Sequence, residues 1–300
     1  MNALHKRRAW LLAAAAALAA LAAVVFLAPA SSVEGGARLV HEEPSEFDPV
    51  VVYERYGERC MSFGAMDTTG RQTCYQLSEP DKMVFEYTRM MASALLAQPR
   101  PGNILIIGLG GGTLPSALAR ILPEAVIDTV EIDPAVVKVA QAYFGYRPGP
   151  RQRVFVEDGR EFVERARREG AAYDMVMLDA FDIDYIPAHL LTVEFLEQVK
   201  GILSSRGVLV ANSFARSRMY DRESATYAAV FGSFFNLRGR LDGNRVIIAV
   251  PSGLPSDEML AQNADALAEP LARFGVDVPA ALARYSRARD WPEDAEPLRD

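Results

Sequence analysis

Four acidic residues lie at or just beyond the ends of predicted β-strands. Glu131 lies at the end of the second strand of an alternating β/α region, and Asp158 follows the third. Asp179 ends the fourth strand, and Asp182 lies three residues further on. The carboxyl ends of parallel strands meet at one edge of a sheet, where ligands bind. A carboxylate there can accept hydrogen bonds from ribose hydroxyls or an adenine amino group, so we predict a nucleoside site that suits positive charge.

A glycine-rich turn, residues 108–112, precedes these acids. Gly108, Gly110 and Gly112 allow a tight turn and close approach of a ligand to the backbone, at the start of a predicted helix. The pattern favours a nucleotide or nucleoside cofactor, with a packing turn as the alternative. Thr113 stands where the dinucleotide fingerprint requires glycine, so an adenosyl sulfonium derived from methionine fits better than NAD.

The elements that must position these residues alternate between strand and helix. The predicted strands are Ile104–Ile107, Val126–Ile132, Arg153–Val156, Tyr173–Leu178, Val208–Asn212, Leu237–Leu241 and Arg245–Val250. Predicted helices separate the first five strands, and the last two form an antiparallel pair. The fold class is therefore α/β, with a doubly wound, mostly parallel seven-stranded, Rossmann-like sheet.

A small antiparallel β-unit is expected before this sheet, at residues 31–80, and a helix from Pro80 to about Leu96. In a hairpin centred on Asp67, Cys60 and Cys74 are directly opposite each other. We predict a disulfide between them, with two reduced thiols as the alternative. Two cysteines and three histidines exclude a four-cysteine zinc site and make a metal centre an unfavoured interpretation, so none is predicted.

Residues 1–30 have the three parts of an export signal. Lys6–Arg8 precede an apolar run, Ala9–Ala28, which ends in Ala-Pro-Ala. A cleaved signal peptide and a transmembrane anchor through residues 9–28 both fit, since about 20 apolar residues span a bilayer. We expect an exported protein, periplasmic or anchored in the inner membrane, with a cytoplasmic location as the alternative. The net charge of −7 argues against nucleic acid as a partner.

The motifs of residues 51–250 together resemble the spermidine synthase (polyamine aminopropyltransferase) family, which has the class I adenosylmethionine-dependent transferase fold. The matching segments are Gly108–Gly112, Val130–Asp133, Glu157–Gly159 and Asp179–Asp182. The resemblance implies that Glu131 holds the ribose and that Asp158 and Gly159 contact the adenine. It also implies that Asp179 receives the proton of the substrate amine, that Asp182 anchors a diamine, and that Gln76 precedes a gate helix beside the substrate.

Three departures from the family pattern affect the substrate prediction. Gly111 replaces the Asp that holds the ammonium group of the donor, Ile183 replaces a Pro, and the gate-helix motif appears as Phe85-Glu86-Tyr87, with its Glu displaced. Gly111 and the displaced Glu86 each leave a place where the family binds cations without its anionic group. A methyltransferase that uses intact S-adenosylmethionine is therefore the alternative to aminopropyl transfer.

Three further polar residues lie close to the predicted site. His189 can line the substrate pocket or cap the helix that follows, and Tyr185 can form a pocket wall or simply pack in the core. Asn212, at the end of the fifth strand, can face the pocket, but its sequence context assigns it no role.

The sequence therefore predicts four segments, with residues 1–30 as signal or anchor, 31–80 as β-domain, 81–254 as transferase domain and 255–300 as a helical tail. The predicted activity is transfer of an aminopropyl group from decarboxylated S-adenosylmethionine to an amine such as putrescine. The alternatives are methyl transfer from S-adenosylmethionine and ligand binding without catalysis. The family resemblance also implies a homodimer.

Overall fold

The computed structural model describes residues 36–66, 70–180, 187–240 and 243–300. The chain begins there with a four-stranded antiparallel sheet, in which neighbouring strands follow one another along the sequence. Its strands are β1 (Arg38–Glu43), β2 (Val50–Arg55), β3 (Glu58–Phe63) and β4 (Arg71–Gln76). The predicted N-terminal β-unit is therefore present.

A seven-stranded sheet follows in the order β10-β11-β9-β8-β5-β6-β7. Its strands are β5 (Asn103–Ile107), β6 (Val126–Glu131), β7 (Gln152–Val156), β8 (Tyr173–Leu178), β9 (Leu203–Phe214), β10 (Phe234–Arg238) and β11 (Asn244–Ala249). Strands β5 to β9 pair in parallel, and β10 and β11 are antiparallel. The predicted fold class is confirmed.

Helices cover both faces of this sheet. They are α1 (Glu86–Ala92), α2 (Thr113–Ile121), α3 (Pro134–Tyr143), α4 (Gly159–Arg168), α5 (Val193–Lys200), α6 (Tyr220–Phe231), α7 (Asp257–Ala272) and α8 (Val278–Leu282), with 3-10 turns at Ser93–Leu96 and Ala188–Leu190. Alternate residues of β5 enter two different cores, Ile104 and Ile106 one and Leu105 and Ile107 the other. Burial on both faces explains the continuous apolar runs of the parallel strands.

The helix predicted from Pro80 begins only at Glu86. The segment before it is held in an irregular conformation by residues far along the chain. Asp81 forms ion pairs with Arg120 and Arg273, and the Met83 amide donates a hydrogen bond to the Phe274 carbonyl over 3.0 Å. These long-range contacts outweigh the local signal for a helix start.

The two cysteines meet across β3 and β4. Cys60 is paired with Cys74 in the register of the two strands, as the predicted hairpin requires. A disulfide joins them, with an S–S distance of 2.01 Å, and both residues are buried.

Residues 1–35, 67–69, 181–186 and 241–242 are outside the described part of the chain. The predicted signal or anchor at 1–30 and the predicted substrate residues Asp182 and Tyr185 fall there. Within the described ranges, no helix has both the length and the apolar character needed to cross a membrane.

Candidate active site

A cavity of about 790 Å³ opens at the carboxyl ends of the parallel strands. It lies where the order of the sheet reverses, with β8 on one side of β5 and β6 on the other. Its volume is in the range of sites for small molecules and cofactors. The predicted site residues that line it are Gly108, Gly110, Glu131, Asp158, Gly159, Asp179 and His189.

The glycine turn shapes the floor of this cavity by close backbone packing. A Cβ atom at Gly108 would be 2.2 Å from the carbonyl oxygen of Asp179, and one at Gly112 would be 2.7 Å from the ring of Tyr146. Both glycines also have positive φ angles, of 100° and 76°. At Gly110, by contrast, no atom lies within 4 Å of the Cβ position, so a ligand can approach the backbone there.

Gly112 therefore has a different place from the one predicted. It lies outside the cavity lining, against Tyr146, and serves as the N-cap residue of α2. Its positive φ angle and missing side chain let the turn close against Tyr146, and the cavity surface itself comes from its neighbours.

Glu131 is fixed at the end of β6 by backbone donors. The Leu109 amide donates to its Oε2 over 2.9 Å, and the Asp133 amide donates to its Oε1 over 3.1 Å. Burial, opposed by these hydrogen bonds, raises the pKa of Glu131. Each oxygen keeps a second lone pair, so the carboxylate is oriented to accept hydrogen bonds from vicinal hydroxyls such as those of a ribose.

Asp158 uses its two carboxylate oxygens differently. Oδ1 caps α4 by accepting hydrogen bonds from the amides of Arg160 and Glu161, at 2.8 and 3.1 Å. Oδ2 lies 3.0 Å from His189 Nε2. His189 thus lines the cavity, which agrees with the first sequence interpretation, and its ring pairs with Asp158, the N-cap residue of α4. Both residues of this pair line the cavity.

Asp179 ends β8 with its carboxylate facing the cavity. Its backbone amide donates to the Ile107 carbonyl over 2.8 Å, and its Oδ1 accepts a 3.0 Å hydrogen bond from Asn212 Nδ2. Burial raises the pKa of Asp179 to about 7, and the negative charge of Glu131 adds to this shift, whereas the Asn212 hydrogen bond opposes it. A carboxyl group with this pKa can exchange a proton at neutral pH, as a general base must.

A β-bulge turns part of β4 towards the glycine turn. The register of β3 and β4 shifts after Met61, and the consecutive residues Arg71, Gln72 and Thr73 all line the cavity. Sequence reasoning did not find this wall, because a bulge breaks the alternation of strand side chains on which it relies.

Thr73 fills the space beside Gly111. A Cβ atom at Gly111 would be 2.7 Å from Thr73 Cγ2 and 3.1 Å from Phe144 Cδ1. An acid at position 111 therefore has no room unless Thr73 is smaller. Gly at position 111, where the family pattern has an acid, is therefore matched to Thr73 by space.

Comparisons with known proteins agree with this geometry. The family model for the spermine/spermidine synthase domain matches residues 84–235. A polyamine aminopropyltransferase of Vibrio vulnificus is 44% identical over 268 residues, which cover 89% of this chain and 90% of the relative. The chain belongs to the spermine/spermidine synthase family. It is accordingly a transferase.

Two solved structures show the same fold. The spermidine synthase of Thermotoga maritima is 19% identical with a TM-score of 0.62, covering 83% of this chain and 84% of its own. Human methyltransferase-like protein 13, solved in complex with SAH, is 26% identical with a TM-score of 0.57, covering 70% of this chain and 96% of its own. The fold of the spermine/spermidine synthase family thus extends to methyltransferases.

Glu86, the displaced acid of the gate-helix motif, has a structural role in this chain. Glu86 is buried at the start of α1, where its Oε1 lies 2.6 Å from Arg284 Nη2 and its Oε2 accepts a 2.8 Å hydrogen bond from the Arg240 amide. It ties α1 to the C-terminal region. Its neighbours Phe85 and Tyr87 line the cavity in its place.

Gln76, which the family resemblance places near the substrate, lies outside the cavity lining. It ends β4 opposite Glu58, and the cavity surface of that strand comes from Arg71–Thr73. The structure thus brings most of the predicted cofactor residues and Asp179 together around one cavity, and places Gln76 three residues beyond Thr73 along β4.

Proposed function

We propose that this chain transfers an aminopropyl group from decarboxylated S-adenosylmethionine to the amine of a small molecule such as putrescine. The single observation that carries this proposal is Asp179, a carboxyl group with a pKa near neutrality that faces the cavity at the switch point of the sheet. The 44% identical relative, which is named for this activity, supports the same assignment.

The reaction needs a base and an oriented pair of substrates. The neutral amine directs its lone pair at the methylene carbon next to the sulfonium. A new C–N bond forms as the C–S bond breaks, and methylthioadenosine leaves with the bonding electrons. The proton lost by the nitrogen passes to Asp179 as the charge develops. Holding both reactants in line in the cavity supplies much of the rate, because the reaction becomes effectively unimolecular.

The donor is proposed to lie along the glycine turn. Glu131 accepts hydrogen bonds from the ribose hydroxyls, and Asp158 and Gly159 form the adenine side of the site. The acids that line the cavity favour a cationic donor, since a cavity lined by one sign of charge attracts the opposite charge. Asp182 remains the proposed anchor for the far end of a diamine.

Methyl transfer is a second candidate because of one observation. Thr73 occupies the space in which the family's acid would hold the ammonium group of a decarboxylated donor. Human methyltransferase-like protein 13, which binds SAH, shares the fold at 26% identity. Under this alternative, Asp179 would serve the same purpose as base, and the donor would present its methyl group instead of its three-carbon arm.

Product mass separates the two candidates. The protein is incubated with putrescine and each of the two donors, and the products are identified by mass spectrometry. We expect an acceptor heavier by one aminopropyl unit, formed only from the decarboxylated donor. An acceptor heavier by one methyl group, formed from intact S-adenosylmethionine, would favour the second candidate. Turnover of neither donor with any amine would contradict the proposal.

Export and self-association are proposed for the whole chain. The basic and apolar sequence of residues 1–30 supports export, and the Cys60–Cys74 disulfide is of the kind that persists in oxidising compartments. Whether residues 9–28 are removed or kept as an anchor distinguishes a periplasmic protein from a membrane-bound one. The homodimer stays a prediction from the family.

A further inference from the structure

Asp179 is the first member of a chain of three side chains. Asn212 Nδ2 donates to Asp179 Oδ1 over 3.0 Å, and Asn244 Nδ2 donates to Asn212 Oδ1 over 3.0 Å. Asn212 and Asn244 are 4% and 9% exposed, so protein contacts and not bulk water hold them in place. All three residues line the cavity.

The order of donors in this chain fixes the orientation of the Asn212 amide. A side-chain amide has one end that donates and one that accepts. Because Asn244 donates to the oxygen of Asn212, the NH₂ group of Asn212 is left to face Asp179. If the amide turned over, its oxygen would meet the carboxylate, and the interaction would be repulsive. Asn244 therefore acts on Asp179 through Asn212.

The sheet holds the two asparagines on one face. In the antiparallel pairing of β9 and β11, Asn212 is opposite Val246, and Asn244 is opposite Phe214. The residues between them, Ser213 and Arg245, face the other side of the sheet. There Arg245 Nη2 lies 2.9 Å from Glu223 Oε2, in an ion pair with both side chains almost fully buried. Contacts on the back face thus lock the register that aligns the front face.

We propose that Asn212 and Asn244 are a positioning pair that orients the carboxylate of Asp179 and favours its ionised form. This inference rests on the proposed role of Asp179 as base. The pair commits Oδ1 of Asp179 to Asn212 and leaves Oδ2 for the proton of the attacking amine. A hydrogen bond to a charged carboxylate stabilises that form over the neutral one.

Other charged groups of the described chain face the same cavity. They are Asp48 in the β1–β2 loop, Arg71 on β4, Glu131 and Asp133 after β6, Glu157 and Asp158 after β7, and His189 in the 3-10 turn. Of these, Glu131 raises the pKa of Asp179, in the same direction as burial. The hydrogen bond from Asn212 lowers the pKa of Asp179 and so opposes both effects. Its loss should therefore raise the pKa of Asp179.

The test is the pH profile of kcat/KM for Asn212→Ala and Asn244→Ala. We expect the acid limb to move to higher pH, by about one unit for Asn212→Ala because a hydrogen bond to a charged group is lost. The shift for Asn244→Ala should be in the same direction and smaller. At pH values well above the acid limb, the activity of both variants should approach that of the wild type. Asn103→Ala, the same change at an exposed asparagine outside the cavity lining, should leave the limb in place.

A second measurement keeps this inference separate from the proposed reaction. The carboxyl resonance of Asp179, assigned by its absence in Asp179→Asn, is titrated by carbon NMR in each variant. If Asp179→Asn retained turnover, the role as base would fail, and the titration would still test the pair. If the titration and the acid limb were unmoved in both asparagine variants, or if activity fell equally at all pH values, the pair would have no positioning role. An unfolded Asn212→Ala would be replaced by Asn212→Ser.

Discussion

Thr73 lies against Gly111, and its Cγ2 atom would be 2.7 Å from a Cβ atom at that position. Thr73 lies on β4 and Gly111 in the turn between β5 and α2, so a contact between two distant parts of the sequence determines how much space remains beside the glycine turn. The hydroxyl of Thr73 also lies 3.4 Å from that of Thr113. The hydroxyl groups of Thr73 and Thr113 therefore both lie beside the glycine turn.

Gly111→Asp by itself should lower activity, because the new side chain overlaps Thr73 and Phe144. The double variant Thr73→Gly/Gly111→Asp makes room and restores an anion beside the donor's ammonium group. We expect its affinity for decarboxylated S-adenosylmethionine, measured by calorimetry, to rise about tenfold relative to Thr73→Gly alone. Equal affinities in these two variants would show that the arm of the donor lies elsewhere.

Asp179→Asn should reduce kcat by a factor of about 10² to 10⁴, the usual range for loss of a general base. Donor affinity should change little, since Glu131 and the glycine turn remain. The acid limb of kcat/KM in the wild-type protein should lie near pH 7, because burial raises the pKa of Asp179 to about 7. In the kcat profile the limb should lie lower, since a bound sulfonium favours the ionised carboxylate.

The raised pKa also predicts an effect on stability. A carboxyl group whose pKa is higher in the folded state stabilises the fold while it is protonated, and this contribution is lost as the pH rises through the folded-state pKa. Asp179→Asn should therefore be more stable than the wild type above pH 7, by on the order of 4 kcal/mol, since the pKa is raised from 3.8 to about 7. The difference should vanish at pH values below the ordinary pKa of an aspartate. Urea unfolding at several pH values measures it, and the opposite sign would contradict the burial of this carboxyl group.

Loss of the Cys60–Cys74 disulfide should destabilise the N-terminal sheet. The bond closes a loop with a sequence separation of 14, so Cys60→Ser/Cys74→Ser should cost about 3 kcal/mol of unfolding free energy. Differential alkylation of protein taken from its native compartment checks the bond itself. Thiols that react without prior reduction would count against both the disulfide and the proposed export.

Glu86 should affect stability more than substrate affinity. Removal of one partner from a buried ion pair costs about 3–5 kcal/mol, because the other charge is left without compensation. Glu86→Ala should therefore lower the unfolding free energy strongly, and Arg284→Ala should do so less, since Arg284 is more exposed. A Glu86→Ala protein with normal stability and a raised KM for the amine would show instead that Glu86 binds the substrate.

Local patterns of the sequence predicted the elements that carry the cofactor site. Glu131, Asp158 and Asp179 each follow a strand that its apolar run identifies, and Cys60 meets Cys74 through a hairpin, which is local. Asn244 was not predicted, because it meets Asn212 only through the antiparallel addition of β11 to β9. The available signal was a polar residue in each of two buried strands, Asn212 near the end of β9 and Asn244 at the start of β11.

The start of α1 and the wall formed by Thr73 were also beyond sequence reasoning. A helix was predicted from Pro80, but the next residue, Asp81, pairs with Arg120 and Arg273 from distant parts of the chain. Thr73 reaches Gly111 because a bulge changes the direction of β4. Both outcomes depend on tertiary contacts, which local spacing does not record.

We propose that Asp179 accepts a proton from an amine that attacks the three-carbon arm of an adenosyl sulfonium. The most direct measurement is the mass of the product formed from putrescine and decarboxylated S-adenosylmethionine, by the wild-type protein and by Asp179→Asn at equal concentration. We expect an acceptor enlarged by one aminopropyl unit with the wild type, and almost none with the variant. A methylated acceptor from intact S-adenosylmethionine would rule out aminopropyl transfer, and equal product from both proteins would rule out Asp179 as the base.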